Sequence, residues 1–163
     1  MPLTFEQFRN AFIAKVTNYK IDWTVLGFYA PDGRVYSFGT DTKVISTVFE
    51  ALAAPVIKEI ADEFGYSIES SEQTVYPDFT LNPASGKPPR IAVDIKTTYR
   101  RFSGKQIQPF RYTLGSYASF LRSPGAAKNI KYPYAEYSGH WVVGFLYTRT
   151  AGIPGIVLAL RWF

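Results

Sequence analysis

Residues 41–64 constrain the fold most, because their apolar side chains recur every three or four positions, as on one face of a helix. Thr40 or Asp41 can cap the start of this helix, and Gly65 can end it. Pro55 lies inside and predicts a kink. The apolar face consists of Ile45, Val48, Phe49, Leu52, Val56, Ile57, Ile60 and Phe64.

Shorter patterns surround this helix and predict a mixed set of elements. Helices are expected over 5–19 and 112–122, a hairpin over 23–29 and 34–38, and strands over 75–81, 91–99 and 141–147. A long helix beside such strands indicates an α/β or α+β fold. The expected architecture is a mixed central sheet with one long helix and flanking helices.

The composition limits the chemistry that the chain can perform. Its 163 residues suggest one domain, and a net charge of +5 with a pI near 9.4 favours an anionic partner. There is no cysteine and only one histidine, so thiolate sites and zinc sites with several histidines are excluded within one chain. A metal would rest on carboxylates, which favours magnesium, manganese or calcium. With no secretory pattern and no apolar run long enough to span a bilayer, a cytoplasmic protein is expected.

Residues 91–96 alternate in a way that sets an acid and an amine on one face of a strand. Three aliphatic side chains face one way, whereas Asp94 and Lys96 face the other. Folding the preceding strand back around a turn centred on Gly86 places Asp78 directly opposite Asp94. Opposed carboxylates repel each other and need a cation or a shared proton.

Two carboxylates and a lysine beside a basic surface are typical of a metal-dependent phosphodiester hydrolysis site. The alternative is two strand-end acids and a snorkelling lysine. The next stretch, residues 96–135, contains eight basic residues and no Asp or Glu, interleaved with aromatic residues, which suits a phosphate backbone. It is also compatible with a solvated face. The eight are Lys96, Arg100, Arg101, Lys105, Arg111, Arg122, Lys128 and Lys131.

Two further residues have alternative interpretations. Glu50 lies at the edge of the apolar helix face, where it is either a surface glutamate or a third carboxylate facing the strands. His140 precedes Trp141 and is interpreted as a structural histidine rather than a general base.

The chain resembles the EcoRV-like type II restriction endonucleases of the PD-(D/E)xK nuclease superfamily. The signature itself is Tyr76-Pro77-Asp78-Phe79-Thr80 followed by Ala92-Val93-Asp94-Ile95-Lys96-Thr97-Thr98-Tyr99. The similarity runs over about residues 20–149, and its other segments are 41–50, 113–122, 128–133, 140–141 and 147–149.

The resemblance implies magnesium-dependent cleavage of palindromic double-stranded DNA by a homodimer, leaving 5′-phosphate and 3′-hydroxyl ends, with manganese as a substitute ion. Asp78 and Asp94 would be metal ligands, Lys96 the catalytic lysine and Glu50 an additional acid near the metals. The positions that match DNA-contacting or phosphate-supporting residues are Gln73, Thr42, Thr97, Thr98, Ser119 and Lys128. Around Gln73 the neighbours Glu72 and Thr74 depart from the family's amide-rich loop.

The similarity ends after Arg149. Residues 1–149 are therefore expected to form the restriction-endonuclease-like catalytic core, followed by a divergent apolar tail, 150–163. The family's recognition part, which lies after this point, is expected to be absent. The alternative function is a truncated, catalytically inert relic that still binds DNA.

Overall fold

The computed structural model describes residues 2–20, 23, 25, 27–36, 41–113, 117–125, 128–149 and 156–158. The helices are α1 (Phe5–Asn18), α2 (Thr42–Glu63) and α3 (Tyr117–Arg122), with a 3₁₀ turn at Tyr134–Glu136. The strands are β1 (Phe28–Tyr29), β2 (Val35–Tyr36), β3 (Tyr66–Ser70), β4 (Phe79–Pro83), β5 (Arg90–Tyr99), β6 (Phe102–Ser103), β7 (Gln106–Ile107), β8 (Tyr137–Arg149) and β9 (Ile156–Leu158).

The chain forms two compact units. The first contains Met1–Lys20, Glu50–Ile95 and Leu114–Val143, and the second contains Ile21–Phe49, Lys96–Thr113 and Gly144–Phe163. Three elements, α2, β5 and β8, contribute residues to both units.

Helix α1 is fixed at its start by a capping box. The Thr4 hydroxyl accepts a hydrogen bond from the Gln7 backbone N–H at 3.2 Å, and the Gln7 side chain accepts one from the Thr4 backbone N–H at 2.9 Å. Phe8 and Phe12 are buried, and the Phe8 ring lies 5.0 Å from that of Trp141. The predicted helix over 5–19 is confirmed, with Tyr19 as its C-cap.

Helix α2 confirms the long helix predicted from the apolar stripe. Asp41 caps it, because its carboxylate accepts hydrogen bonds from the backbone N–H groups of Lys43 (2.8 Å) and Val44 (3.3 Å). Gly65 follows its end with φ +74°, a conformation that favours glycine. Pro55 lies within the helix. Five stripe residues are buried: Ile45, Phe49, Val56, Ile57 and Ile60.

The central sheet has the strand order β3-β4-β5-β8-β9 and confirms the mixed α+β class. The pairs β3/β4, β4/β5 and β8/β9 are antiparallel. Strand β5 is buried along its first six residues, which explains its aliphatic sequence. Two separate hairpins, β1/β2 and β6/β7, complete the strand pairing.

Several predicted boundaries were wrong. The strand predicted over 75–81 begins only at Phe79, because Pro77 has no N–H to give to a ladder, and Tyr76 instead forms a parallel bridge with Ile130. Tyr112 and Thr113 are not helical, so the helix predicted over 112–122 is shorter. The predicted first hairpin is confirmed by β1/β2, although Phe38 and the alternative cap Thr40 lie outside the described residues.

No helix in the described ranges combines the length and apolar character needed to cross a membrane.

Candidate active site

The register between β4 and β5 places two aspartates opposite each other. Phe79 pairs with Val93 and Leu81 with Ile91, so continuing the ladder by one residue sets Asp78 opposite Asp94. The connecting turn contains Gly86 at φ +68°. The register predicted from a turn centred on Gly86 is therefore confirmed.

Asp78 is fixed by the strand that it faces. Its carboxylate accepts a hydrogen bond of 2.5 Å from the backbone N–H of Ile95, the residue after Asp94. Its own backbone carbonyl accepts a hydrogen bond of 3.1 Å from the N–H of Ser71. Both ends of the Asp78 residue are thus held, and its carboxylate lies beside the backbone that carries Asp94.

The two acids sit in an environment that favours a cation. Asp94 is only 4% exposed, whereas Asp78 is half-buried. Directly opposed side chains have Cβ atoms roughly 5 Å apart, and two negative charges there are destabilising. Burial removes the water that would otherwise screen them. Carboxylate oxygens in such an arrangement suit a hard divalent ion.

Glu50 is a half-buried residue of α2. Within the described part of the chain, no three or more His, Asp or Glu side chains are grouped so that they could hold a metal ion. The structure therefore brings Asp78 and Asp94 together and does not add Glu50 to them as a third acid.

Lys96 is half-buried and follows Asp94 by two positions in β5. Because side chains alternate along a strand, Asp94 and Lys96 leave the same face of β5. An acid and an ammonium group from one strand face are the arrangement predicted from the sequence.

The comparison with known proteins decides the family. A family model described as restriction endonuclease EcoRV matches residues 19–155. The chain is also 44% identical over 135 residues to the type II restriction enzyme EcoRV of Escherichia coli, an alignment that covers 82% of this chain and 52% of that enzyme. The chain belongs to the EcoRV restriction endonuclease family. It spans about half the length of the curated relative that it matches.

Membership of the EcoRV family confirms the restriction-endonuclease-like fold expected from the sequence resemblance. Three features of this chain correspond to that expectation: the mixed sheet, the long helix α2, and the pair formed by Asp78, just before β4, and Asp94 in β5.

Three candidate DNA-contacting residues of this EcoRV-family chain lie in the second unit. Thr42 is exposed at the first position of α2. The hydroxyls of Thr97 and Ser46 lie 2.6 Å apart, which ties the first half of α2 to β5. Thr97 is thus a structural contact as well as a candidate phosphate-supporting residue. Thr98 lines an open groove beside the end of β5.

The other three candidates lie in the first unit, and all are exposed. Gln73 is in the turn between β3 and β4, Ser119 is in α3, and Lys128 is in a turn after α3. The structure shows each of them accessible to solvent.

Sequence reasoning missed the contacts that hold the Tyr76-Pro77-Asp78 segment. The Tyr76 N–H donates to the Asn129 carbonyl at 3.0 Å, and the Tyr76 carbonyl accepts from the Lys131 N–H at 2.7 Å. The Tyr76 hydroxyl lies 2.9 Å from Nδ1 of His140. The segment that carries Asp78 is therefore attached both to the loop after α3 and to β8.

His140 behaves as a structural residue. Its ring stacks on Tyr134 with centroids 4.0 Å apart and an interplanar angle of 9°, and it also contacts Tyr76 and Tyr137. Burial lowers the pKa of His140 from 6.5 to about 4, so the imidazole is neutral near pH 7. This supports the interpretation of His140 as structural.

Arg90 was also missed. It is 7% exposed and forms an ion pair with Glu136 while its Nε donates to the Asn82 side chain at 2.9 Å. Its guanidinium lies 3.8 Å from the ring centroid of Tyr132. An arginine at the first position of a buried aliphatic strand is the sequence signal that could have indicated a paired, stacked residue.

Proposed function

We propose that this chain carries the catalytic core, residues 1–149, of a type II restriction endonuclease that hydrolyses phosphodiester bonds of palindromic double-stranded DNA to 5′-phosphate and 3′-hydroxyl ends. The observation that carries the proposal is the 2.5 Å hydrogen bond from the Ile95 N–H, which holds the Asp78 carboxylate opposite buried Asp94. Family membership supports the same activity.

Magnesium is the proposed cofactor, with manganese as a substitute. The donor set fits, because Asp78 and Asp94 offer hard oxygen ligands whose mutual repulsion a divalent cation relieves. A magnesium ion at such a site polarises a phosphoryl oxygen and makes water a better nucleophile. Glu50 is proposed as an additional acid near the metal, as the family resemblance implies.

Lys96 is proposed to position the attacking water and to stabilise the negative charge that develops on the phosphoryl oxygens. Its position in β5, two residues after Asp94 on the same strand face, supports this role. A preorganised cation of this kind stabilises the transition state more than the ground state, because the charge on phosphate grows during the reaction.

The six exposed or half-buried residues predicted to touch DNA remain part of the proposal: Thr42, Gln73, Thr97, Thr98, Ser119 and Lys128. Lys128 is the best supported of them. Its segment also contains Asn129 and Lys131, whose backbone groups form hydrogen bonds with Tyr76. A phosphate bound at Lys128 would therefore lie one and three residues along the chain from the two residues that hold the Tyr76-Pro77-Asp78 segment.

A homodimer is proposed because a two-fold protein matches a two-fold DNA site. The β1/β2 hairpin supports it. Phe28, Tyr29, Val35 and Tyr36 are 54, 76, 58 and 50% exposed, which is unusual for large apolar side chains grouped on one short hairpin. Light scattering during gel filtration should give the mass of two chains, and a monomer at micromolar concentration would contradict this part of the proposal.

The test of the activity is cleavage of supercoiled plasmid by the full 163-residue chain with magnesium. We expect Asp94→Asn to lose cleavage by orders of magnitude, because it removes one metal ligand. The matched control is Asp62→Asn, an exposed acid of α2 that is paired with Lys58. Circular dichroism checks that all proteins are folded.

Thermal unfolding gives a second readout that does not depend on cleavage. Magnesium should raise the Tm of the wild type and of Asp62→Asn but not that of Asp94→Asn, since binding to the native state stabilises it. Equal cleavage rates for Asp94→Asn and the wild type would refute the proposal that Asp94 is a metal ligand in the active site. Absence of cleavage by the folded wild type at any magnesium concentration would refute the activity.

A further inference from the structure

A groove in the second unit has a composition that points to a ligand. It lies between the end of β5 and the chain around the β6/β7 hairpin, encloses about 830 Å³ and is open to solvent. The side chains that define this hairpin groove are Tyr99, Arg101, Phe102, Phe110 and Arg111. Three aromatic rings and two guanidinium groups thus surround one hollow.

Within the described part of the chain, no carboxylate pairs with the cations of the hairpin groove. Arg101 and Arg111 in the groove, and Lys105 in the adjacent hairpin turn, are exposed and form no ion pair with a described residue. The sequence has no Asp or Glu anywhere from Lys96 to Ala135. Two exposed guanidinium groups in the groove and an exposed ammonium group in the hairpin turn beside it attract a polyanion.

The hairpin itself has a defined shape. The Gln108 N–H donates to the Arg101 carbonyl at 2.8 Å and closes its base, and Gly104, at φ +61°, forms its two-residue turn. Phe102 pairs with Ile107 across the strands, and these side chains are 53% and 42% exposed. In a nucleic acid strand, apolar sugars alternate with charged phosphates. An exposed apolar pair beside exposed arginine side chains could contact both kinds of group.

Several contacts hold the wall of the hairpin groove on the β5 side. The Arg149 guanidinium lies 4.0 Å from the ring centroid of Tyr99. The Arg100 N–H donates to the Tyr147 carbonyl at 2.8 Å, and its guanidinium donates to the Thr148 hydroxyl at 2.7 Å. Such a preorganised wall lowers the entropy cost of binding.

We propose that the hairpin groove binds the phosphate backbone of duplex DNA outside the cleavage site, with Arg101 and Arg111 on phosphates and Phe102 against deoxyribose. The inference rests on the proposed function, because it takes DNA as the substrate. Lys96 and Thr98, which lines the groove, leave the same face of β5 two residues apart, or about 7 Å, which is the length of about two base-pair steps. A duplex engaged at Lys96 therefore extends far enough to reach the groove.

Fluorescence anisotropy with a labelled duplex of about 30 base pairs, in EDTA and about 50 to 200 mM NaCl, tests the inference. Arg101→Ala and Arg111→Ala should each reduce the slope of log K against log salt by about 0.9, since one phosphate contact is lost. Arg101→Lys should restore the slope. Phe102→Ala should weaken binding at every salt concentration without changing the slope, because it carries no charge.

The control is Arg9→Ala, which removes an exposed arginine of α1 and should leave the slope unchanged. Unchanged slopes in both groove variants, with wild-type binding intact, would overturn the inference and leave the proposed function standing. Failure of the wild type to bind duplex would overturn the proposed function instead. An equal reduction of the salt slope in Arg9→Ala would show that any exposed positive charge contributes to DNA binding. That result would also overturn the proposal that the hairpin groove is a specific phosphate-binding site.

Discussion

His140 makes the stability of this protein depend on pH in a direction that the structure fixes. The imidazole is half-buried among Tyr76, Tyr134 and Tyr137, and this burial lowers its pKa to about 4. In an unfolded chain the same group titrates near 6.5. Because the unfolded state binds the proton more tightly, stability is complete above pH 6.5 and falls as the pH drops toward 4.

The size of the effect follows from the two pKa values. A tenfold difference in proton affinity is worth about 1.4 kcal/mol, so the full loss below pH 4 amounts to about 3 kcal/mol. Near pH 5, His140 is almost fully protonated in the unfolded chain but mostly neutral in the folded protein. The free energy of unfolding is therefore about 2 kcal/mol lower at pH 5 than at neutral pH. That is a large part of the stability of an ordinary domain.

Urea unfolding at about pH 7.5 and pH 5 measures this loss. His140→Asn should lose about 2 kcal/mol less than the wild type between these pH values, because asparagine has no proton to gain. Tyr76→Phe should keep the wild-type pH dependence, since burial rather than the Tyr76 hydroxyl lowers the pKa. The chain has one histidine, so a single NMR signal reports the titration. A midpoint near 6.5 would refute the reasoning.

Three further predictions concern the second unit. Phe49→Ala should cost about 3 to 5 kcal/mol in the free energy of unfolding, because the ring is fully buried and stacked 4.8 Å from Phe145; a loss below 1 kcal/mol would contradict this packing. Asp41→Ala should cost about 1 kcal/mol through loss of the α2 cap, measured by urea unfolding, whereas Asp41→Asn should retain most of it. Ser46→Ala should cost about 1 kcal/mol by leaving the Thr97 hydroxyl without its partner, and an unchanged midpoint would argue against that contact.

The aspartate pair could be predicted only in part from local patterns. Alternation in residues 91–96 fixes which side chains share a face, whereas the loop before β5 does not itself fix the register. The choice of Gly86 as the turn centre agrees with the observed β4/β5 pairing. Helix α2 was predictable from local patterns, since its apolar stripe, its cap and its terminating glycine all lie within one continuous segment.

The supports of the site could not be predicted, since they join residues that are distant in the sequence. The contact between Tyr76 and His140 spans 64 positions, and the ion pair between Arg90 and Glu136 spans 46. Strand β3 was missed because its residues, such as Ser67 and Glu69, are polar, and it becomes a strand by pairing with β4. For the β6/β7 hairpin a local signal existed, namely the turn glycine at 104.

The register between β3 and β4 connects strand β3, which the sequence analysis did not predict, to Asp78 of the predicted acid pair. Ser70 pairs with Phe79, and the next residue, Ser71, donates its N–H to the carbonyl of Asp78 at 3.1 Å. A slip of one residue between β3 and β4 would move this hydrogen bond off Asp78 and would turn the buried Phe79 and Leu81 to the opposite face of the sheet. The apolar burial of β4 therefore holds Asp78 in place, and the position of a polar, catalytic candidate is determined by the hydrophobic residues that follow it.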